Sequence, residues 1–170
     1  MVCWGLRRLK PRHGGRTAAV IDAYRKDYPD AKPFDLLSVI STASFRQAAV
    51  DQAKRKLALG AAPAYLYLFA WRTPMLVGRP GAFHSSEIAF VFDNADRCVN
   101  LTGGRPEALE LSTNMSRAWV QFARHGDPSH PGLPAWPAVS PGKLATMVFD
   151  TRCRVEDDPE GEGLRAVARA

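Results

Sequence analysis

Apolar side chains at Phe45, Ala49, Ala53 and Leu57 recur every fourth position, as on one face of a helix. They predict a helix from a Ser44 cap to Leu59, with Gly60 in the place of a terminating glycine. Upstream, a helix is predicted from a Thr17 cap to about Tyr28, stopped by Pro29, and a short one, LLSVI, behind an Asp35 cap. The pattern then changes. After Gly-Ala-Ala-Pro comes AYLYLF, residues 64–69, a continuous apolar run that predicts a strand buried on both faces, as in a parallel sheet covered by helices. Residues 70–82 are a loop rich in Pro and Gly. From Ser112 onward another helix is predicted, with Leu111, Met115, Ala118, Trp119 and Phe122 on one face and Arg124-His125-Gly126 closing it. A proline-rich loop, GDPSHPGLPAWPAVSPG, leads to ATMVFD, residues 145–150, a second strand. No internal repeat is present. Helices alternating with buried strands predict an α/β architecture, and two short strands make an incomplete sheet.

The 170 residues fit one domain or part of a larger one, and 46% hydrophobic content supports a sizeable core. The net charge of +6 suggests nucleic acid until its position is considered. Arg7, Arg8, Lys10, Arg12 and Arg16 crowd the first sixteen residues, which hold no acid, and the rest carries 18 basic and 17 acidic side chains. No basic face with interleaved aromatics follows, so nucleic acid is not an expected partner. Residues 1–16 read as a basic, irregular arm, and five acids between Val155 and Gly163 lead into an acidic tail, 159–170, expected to fray.

No apolar run reaches the ~18 residues of a membrane span, and the amino terminus has no apolar core of the signal-peptide kind. No membrane partner is expected, and a cytoplasmic location is the default reading. Cys3, Cys98 and Cys153 are odd in number and widely spaced, which reads as free thiols rather than a zinc site or a disulfide frame. His125-x-Asp127-x-x-His130 has the residue types of a metal cluster but falls at a helix end in a proline loop, so no metal is expected. Asn100-Leu-Thr102 and Asn114-Met-Ser116 match a glycosylation pattern that short sequences meet by chance. Trp71, Trp119 and Trp136 read as packing residues.

His84 stands fifteen residues beyond the end of the first strand, in a Gly/Pro turn. Active sites of open α/β sheets lie beyond the carboxyl ends of their strands, which makes this lone histidine a candidate catalyst. The order of several phrases sharpens that reading. IDAYRKDYPDAKPFDLLSVISTASFR is followed by APAYLYLFAWRTP, GAFHSSEIAFVFDN, LSTNMSRAWVQFARHGDPSHPGLPAWPAV and ATMVFD. Over residues 17–158 this order resembles the carboxy-terminal part of a type B carboxylesterase, in the α/β-hydrolase superfamily that includes para-nitrobenzyl esterases and cholinesterases.

The resemblance implies that His84 is the base of a Ser–Glu–His triad. It implies a supporting role for Glu87, which on its residues alone reads equally as a salt-bridged helix-start acid, and it puts Ser85 where related chains carry glycine. Ala43-Ser44 also departs from an aspartate that related chains often hold. The chemistry needs such a base: a serine hydroxyl is a weak nucleophile until a neutral imidazole takes its proton, and the imidazolium then protonates the leaving alcohol. No cofactor is implied, and the partner is an ester substrate of the full-length parent.

The other parts of such a site are missing from the sequence. No two glycines are four apart, so there is no G-x-S-x-G elbow. The triad acid belongs upstream of the histidine, but the first glutamate is Glu87. The chain therefore reads as the last third of a carboxylic-ester hydrolase, doubtful as an enzyme by itself. The alternative is a non-catalytic interaction or scaffold protein built on the same layer. The exposed edge of the first strand is expected to favour self-association.

Overall fold

Strand β2, Ala145–Phe149, is the centre of the molecule's sheet and is buried at every position. The computed structural model describes residues 4–168, so Cys3 lies outside the described residues. Strand β1, Leu66–Phe69, pairs parallel with β2, Leu66 opposite Thr146 and Phe69 opposite Phe149. Strand β3, Arg154–Asp157, pairs antiparallel on its other side. The order β1-β2-β3 makes β1 and β3 the two edges. The expectation of a doubly buried strand, made for residues 64–69, is not met by β1; β2 is the doubly buried strand. In β1 only Leu66 is buried, because an edge strand lacks one lateral neighbour.

The chain divides into two compact units. Residues 56–157 hold the sheet and the helices α4 (Ile88–Val91), α5 (Val99–Thr102) and α6 (Pro106–His125). Their core joins Trp71, Phe90, Leu111, Met115, Trp136 and Phe149. Each side chain of this size contributes roughly 1.5–3 kcal/mol when taken out of water. Helix α6 starts at Pro106, six residues before the expected Ser112 cap. Proline fits a first helical turn, and Ser112 is buried inside the helix with its hydroxyl near the carbonyls of Ala89 and Phe90. Gly126 ends α6 at φ 73°, in the left-handed region that glycine enters without strain.

Residues 1–55 with 158–170 form the other unit, whose regular elements among the described residues are all helical. From Trp4 onward the amino-terminal arm, expected to be irregular, is helical. Trp4–Leu9 is a 3-10 helix, α1 is Lys10–His13, and Leu9 and His13 are buried. Helix α2 is Thr17–Asp27, close to its expected span.

Helix α3 runs unbroken from Pro33 to Leu59, where two helices were expected. No glycine or proline interrupts it, and Thr42 bonds back to the carbonyls of Ser38 and Val39, so Ser44 caps nothing. Its buried stripe is Leu36, Ile40, Ala43, Arg46, Val50 and Ala53. Phe45 is 79% exposed. A strict fourfold repeat drifts about 40° per step around a 3.6-residue helix, whereas spacings that mix three and four stay on one face.

The acidic tail also departs from expectation. Gly161–Ala168 forms helix α7, which packs on α2 with Leu164 buried and Gly163 against the Tyr24 ring. Lys26 pairs with Glu162, and the Tyr28 hydroxyl donates to Glu160. Asp158 accepts from Arg165 at 2.8 Å. The tail's acids are thus engaged by bases and a hydroxyl of the same unit.

Candidate active-site turn

His84 is exposed, on the turn 84–87 that leads into α4. Two packing contacts fix that turn at the carboxyl end of β1. Phe90 of α4 lies with its ring centroid 5.2 Å from Phe69, the last residue of β1, and 5.6 Å from Trp71 just beyond it. Phe90 is fully buried, so the helix after the turn is anchored in the core while the histidine before it stays in solvent.

The turn is stapled by Ser86, which is buried. Its hydroxyl donates to the Phe83 carbonyl at 2.6 Å and accepts the Phe83 N–H at 3.2 Å. The Ser86 N–H donates to the same carbonyl at 3.0 Å. Ser85 sits at φ 68°, a left-handed conformation that a residue with a Cβ enters at a cost of about 1–2 kcal/mol. A glycine at this position would hold the same angle without that cost.

Upstream, the loop is closed on itself. The Thr73 N–H donates to Gly81 (3.3 Å), and the Arg72 guanidinium donates to Gly78 (3.1 Å). The buried Thr73 hydroxyl donates to the Leu101 carbonyl at 2.6 Å, tying the loop to α5. Between these anchors Leu76 and Val77 also adopt left-handed angles.

Glu87 is half-buried at the start of α4, and its carbonyl accepts from both Phe90 and Val91. Its carboxylate is in no hydrogen bond with His84 and in no ion pair among the described residues. Its charge acts instead on Tyr67, whose hydroxyl is pushed above the ordinary tyrosine value mainly by burial and then by Glu87.

The other candidate groups have structural work. His130 is buried, with one ring nitrogen 3.0 Å from the Asn114 carbonyl and the other accepting the Gly132 N–H at 3.1 Å. Asp127 accepts the Ser129 N–H at 2.8 Å, and its carboxyl is held below the ordinary range mainly by hydrogen bonds from Ser129. Trp136 donates its indole N–H to the Leu66 carbonyl at 3.2 Å. Cys98 and Cys153 are free thiols.

Sequence reasoning singled out His84, Ser85 and Glu87 but missed Ser86 and Thr73 as the residues that hold the turn. A serine clamp on its own turn leaves no pattern in a sequence; only its burial shows it. The arrangement offers one solvent-facing imidazole on an immobilised turn, able to accept a proton from a hydroxyl brought to it.

The Carboxylesterase family profile matches residues 14–166. The chain belongs to the carboxylesterase family. The match runs beyond the expected 17–158 at both ends and takes in most of α7. The para-nitrobenzyl esterase of Bacillus subtilis is 34% identical over 103 residues, 59% of this chain and 21% of that protein. A phenmedipham hydrolase of Pseudarthrobacter oxydans is 30% identical over 149 residues, 82% of this chain and 29% of that protein. An esterase of Clostridium hathewayi that hydrolyses aliphatic aromatic polyesters superposes with a TM-score of 0.75 at 30% identity, over 96% of this chain and 32% of its own. A Geobacillus stearothermophilus carboxylesterase gives 0.72 at 34% identity, over 95% of this chain and 34% of its own. This carboxylesterase-family chain therefore spans about a fifth to a third of the length of these relatives, and its fold is the carboxy-terminal portion of an α/β-hydrolase.

Proposed function

We propose that this chain supplies the general base of an ester-hydrolysing site, with His84 as that base. The observation that carries the reading is an exposed imidazole on a stapled turn at the carboxyl end of β1, in a chain of the carboxylesterase family. His84 would take the proton of an attacking serine hydroxyl and return it to the leaving alcohol, so that an acyl-serine forms and is then hydrolysed. The serine, the triad acid and the oxyanion donors would come from the part of a carboxylesterase that this chain does not span. Glu87 would act from the start of α4 without touching the imidazole.

A chimera tests this. Residues 14–166 replace the corresponding segment of the Pseudarthrobacter oxydans phenmedipham hydrolase, whose match spans 149 residues, and hydrolysis of a p-nitrophenyl ester is measured. The chimera should turn over, and its His84→Ala variant should lose about three orders of magnitude or more in kcat with an unchanged melting curve. Full activity in that variant would overturn the assignment.

A further inference from the structure

The cationic side chains of the amino-terminal arm border a hollow. Arg8 and Leu9 of the 3-10 helix and Pro11 and Arg12 of α1, together with Ser41 of α3, line a cavity of about 300 Å³. All five belong to the same compact unit. The space is many times the ~30 Å³ that a water molecule fills in the liquid, so it has room for a small organic ion. Four of the five lining residues fall outside the segment that the Carboxylesterase family profile matches, which begins at residue 14. The cavity is therefore a feature of this chain's arm.

Its surroundings are electropositive. The first sixteen residues hold five bases and no acid. Asp35, the acid nearest in sequence to Ser41, accepts the Lys32 N–H and does not line the cavity. The field reaches the neighbouring His13. That side chain is buried, neither ring nitrogen has a hydrogen-bond partner among the described residues, and it ionises below the ordinary histidine value, first through burial and then through Arg12 and Arg16. Two guanidiniums four residues apart on one hollow repel each other, a cost that a bound anion removes. Arg12 donates to the Ser41 carbonyl at 3.4 Å, the long end of a hydrogen bond. Each guanidinium has five N–H donors, so contacts within the protein leave donors for a ligand. A carboxylate has two oxygens, which a single guanidinium fork occupies. A phosphate group has three terminal oxygens and up to two charges, enough for two forks and the Ser41 hydroxyl.

We propose that Arg8, Arg12 and Ser41 form a binding site for a small phosphate-bearing anion free in solution, of the class of pyrophosphate and organic phosphate monoesters. The two guanidiniums clamp the phosphate oxygens, the Ser41 hydroxyl donates to a further oxygen, and Leu9 and Pro11 offer apolar surface to the organic part. Such a site needs nothing from His84, which belongs to the other unit.

The test titrates the full chain with pyrophosphate in a calorimeter at about 0.1 M salt, where exposed charges more than about 10 Å apart are screened. One-to-one binding is expected, about tenfold or more tighter than that of citrate, which presents its charge on carboxylates. Arg8→Gln and Arg12→Gln should each weaken it about tenfold or more, the loss expected for a hydrogen bond to a charged group. Arg7→Gln removes the same charge from a residue that does not line the cavity, and should change the affinity less than about twofold. Amide shifts of the unaltered chain, followed by NMR during the titration, should concentrate on residues 8–12 and Ser41, a readout that holds even where a variant fails to fold. Four results would overturn the proposal: no pyrophosphate binding, including a chain that binds only phosphatidylserine vesicles; citrate binding as tight as pyrophosphate; equal weakening by Arg7→Gln; or amide shifts that lie away from the cavity.

Discussion

The Ser86 hydroxyl bonds both main-chain groups of Phe83, donating to its carbonyl at 2.6 Å and accepting its N–H at 3.2 Å, and so closes the backbone around His84. The clamp is buried while the imidazole is not. Replacing Ser86 with alanine removes both hydrogen bonds of its hydroxyl to Phe83, a loss of about 0.5–1.5 kcal/mol for each bond at a partly buried site. In the chimera, Ser86→Ala should lower kcat about tenfold or more with a smaller change in KM, because a positioning residue acts on the orientation of the base. An unchanged kcat would show that the turn holds without its staple.

Ser85 offers the opposite experiment. At φ 68° its Cβ crowds the backbone, and glycine removes that strain at the cost of a more mobile unfolded chain. The net expectation for Ser85→Gly is a gain of about 0.5–1 kcal/mol, read as a higher midpoint in urea denaturation. A loss of stability would mean that the Ser85 side chain makes a contact that outweighs its backbone strain.

The elements that could be read in the sequence are those whose own residues decide them. ATMVFD is apolar but for Thr146 and Asp150, and its first five residues became the central strand β2; Gly126 ends α6 because only a left-handed residue fits there. The elements that could not be read depend on partners distant in sequence. RVED looks like solvent-exposed chain and becomes β3 only because β2 offers it a ladder. GEGLRAVA looks too glycine-rich and acidic to order, yet Gly163 is what lets α7 approach Tyr24. His84 was legible as a candidate from its place after a strand. The groups that orient its turn, Ser86 and Thr73, are small hydroxyls whose role exists only in three dimensions.

Tyr24 is fully buried and its hydroxyl has no hydrogen-bond partner among the described residues. Burial first, and then the negative charges of Glu160 and Asp27, push its ionisation far above the ordinary tyrosine value of 10.0. The raised folded value means that this group's stability is fully present below about pH 10 and is lost as pH rises toward the folded value, because the unfolded chain ionises first. Tyr24→Phe removes a hydroxyl that lacks a partner. It should leave neutral-pH stability equal or up to about 1 kcal/mol higher. It should also flatten the decline above pH 10, as measured by urea denaturation between pH 8 and pH 11.

A Cβ at Gly163 would stand 2.6 Å from the Tyr24 ring, closer than packed atoms come. The ring is enclosed and cannot swing away. Gly163→Ala should therefore destabilise the docking of α7 by about 1–3 kcal/mol, in spite of alanine's better helix propensity. The effect should appear as faster limited proteolysis within residues 158–168. The double variant with Tyr24→Ala should recover part of the difference, since the clash needs both residues; equal losses from Gly163→Ala with and without the ring would remove the steric explanation.

The isolated 170-residue chain should not hydrolyse a p-nitrophenyl acyl ester faster than an ordinary surface histidine does. Ser86, the buried hydroxyl nearest in sequence to His84, is committed to Phe83, and Ser85 belongs to no G-x-S-x-G elbow. No carboxylate bonds the imidazole among the described residues, so its tautomer is not set as a triad acid would set it. General-base help contributes about 10²–10⁴-fold only when the reacting groups are held in place, and a missing oxyanion donor removes about 3–4 kcal/mol of transition-state stabilisation. The measurement is turnover of the purified chain together with fluorophosphonate labelling. No covalent adduct is expected. A labelled serine whose labelling disappears in His84→Ala would establish a complete nucleophile–base pair within this chain and overturn the division of the site proposed above.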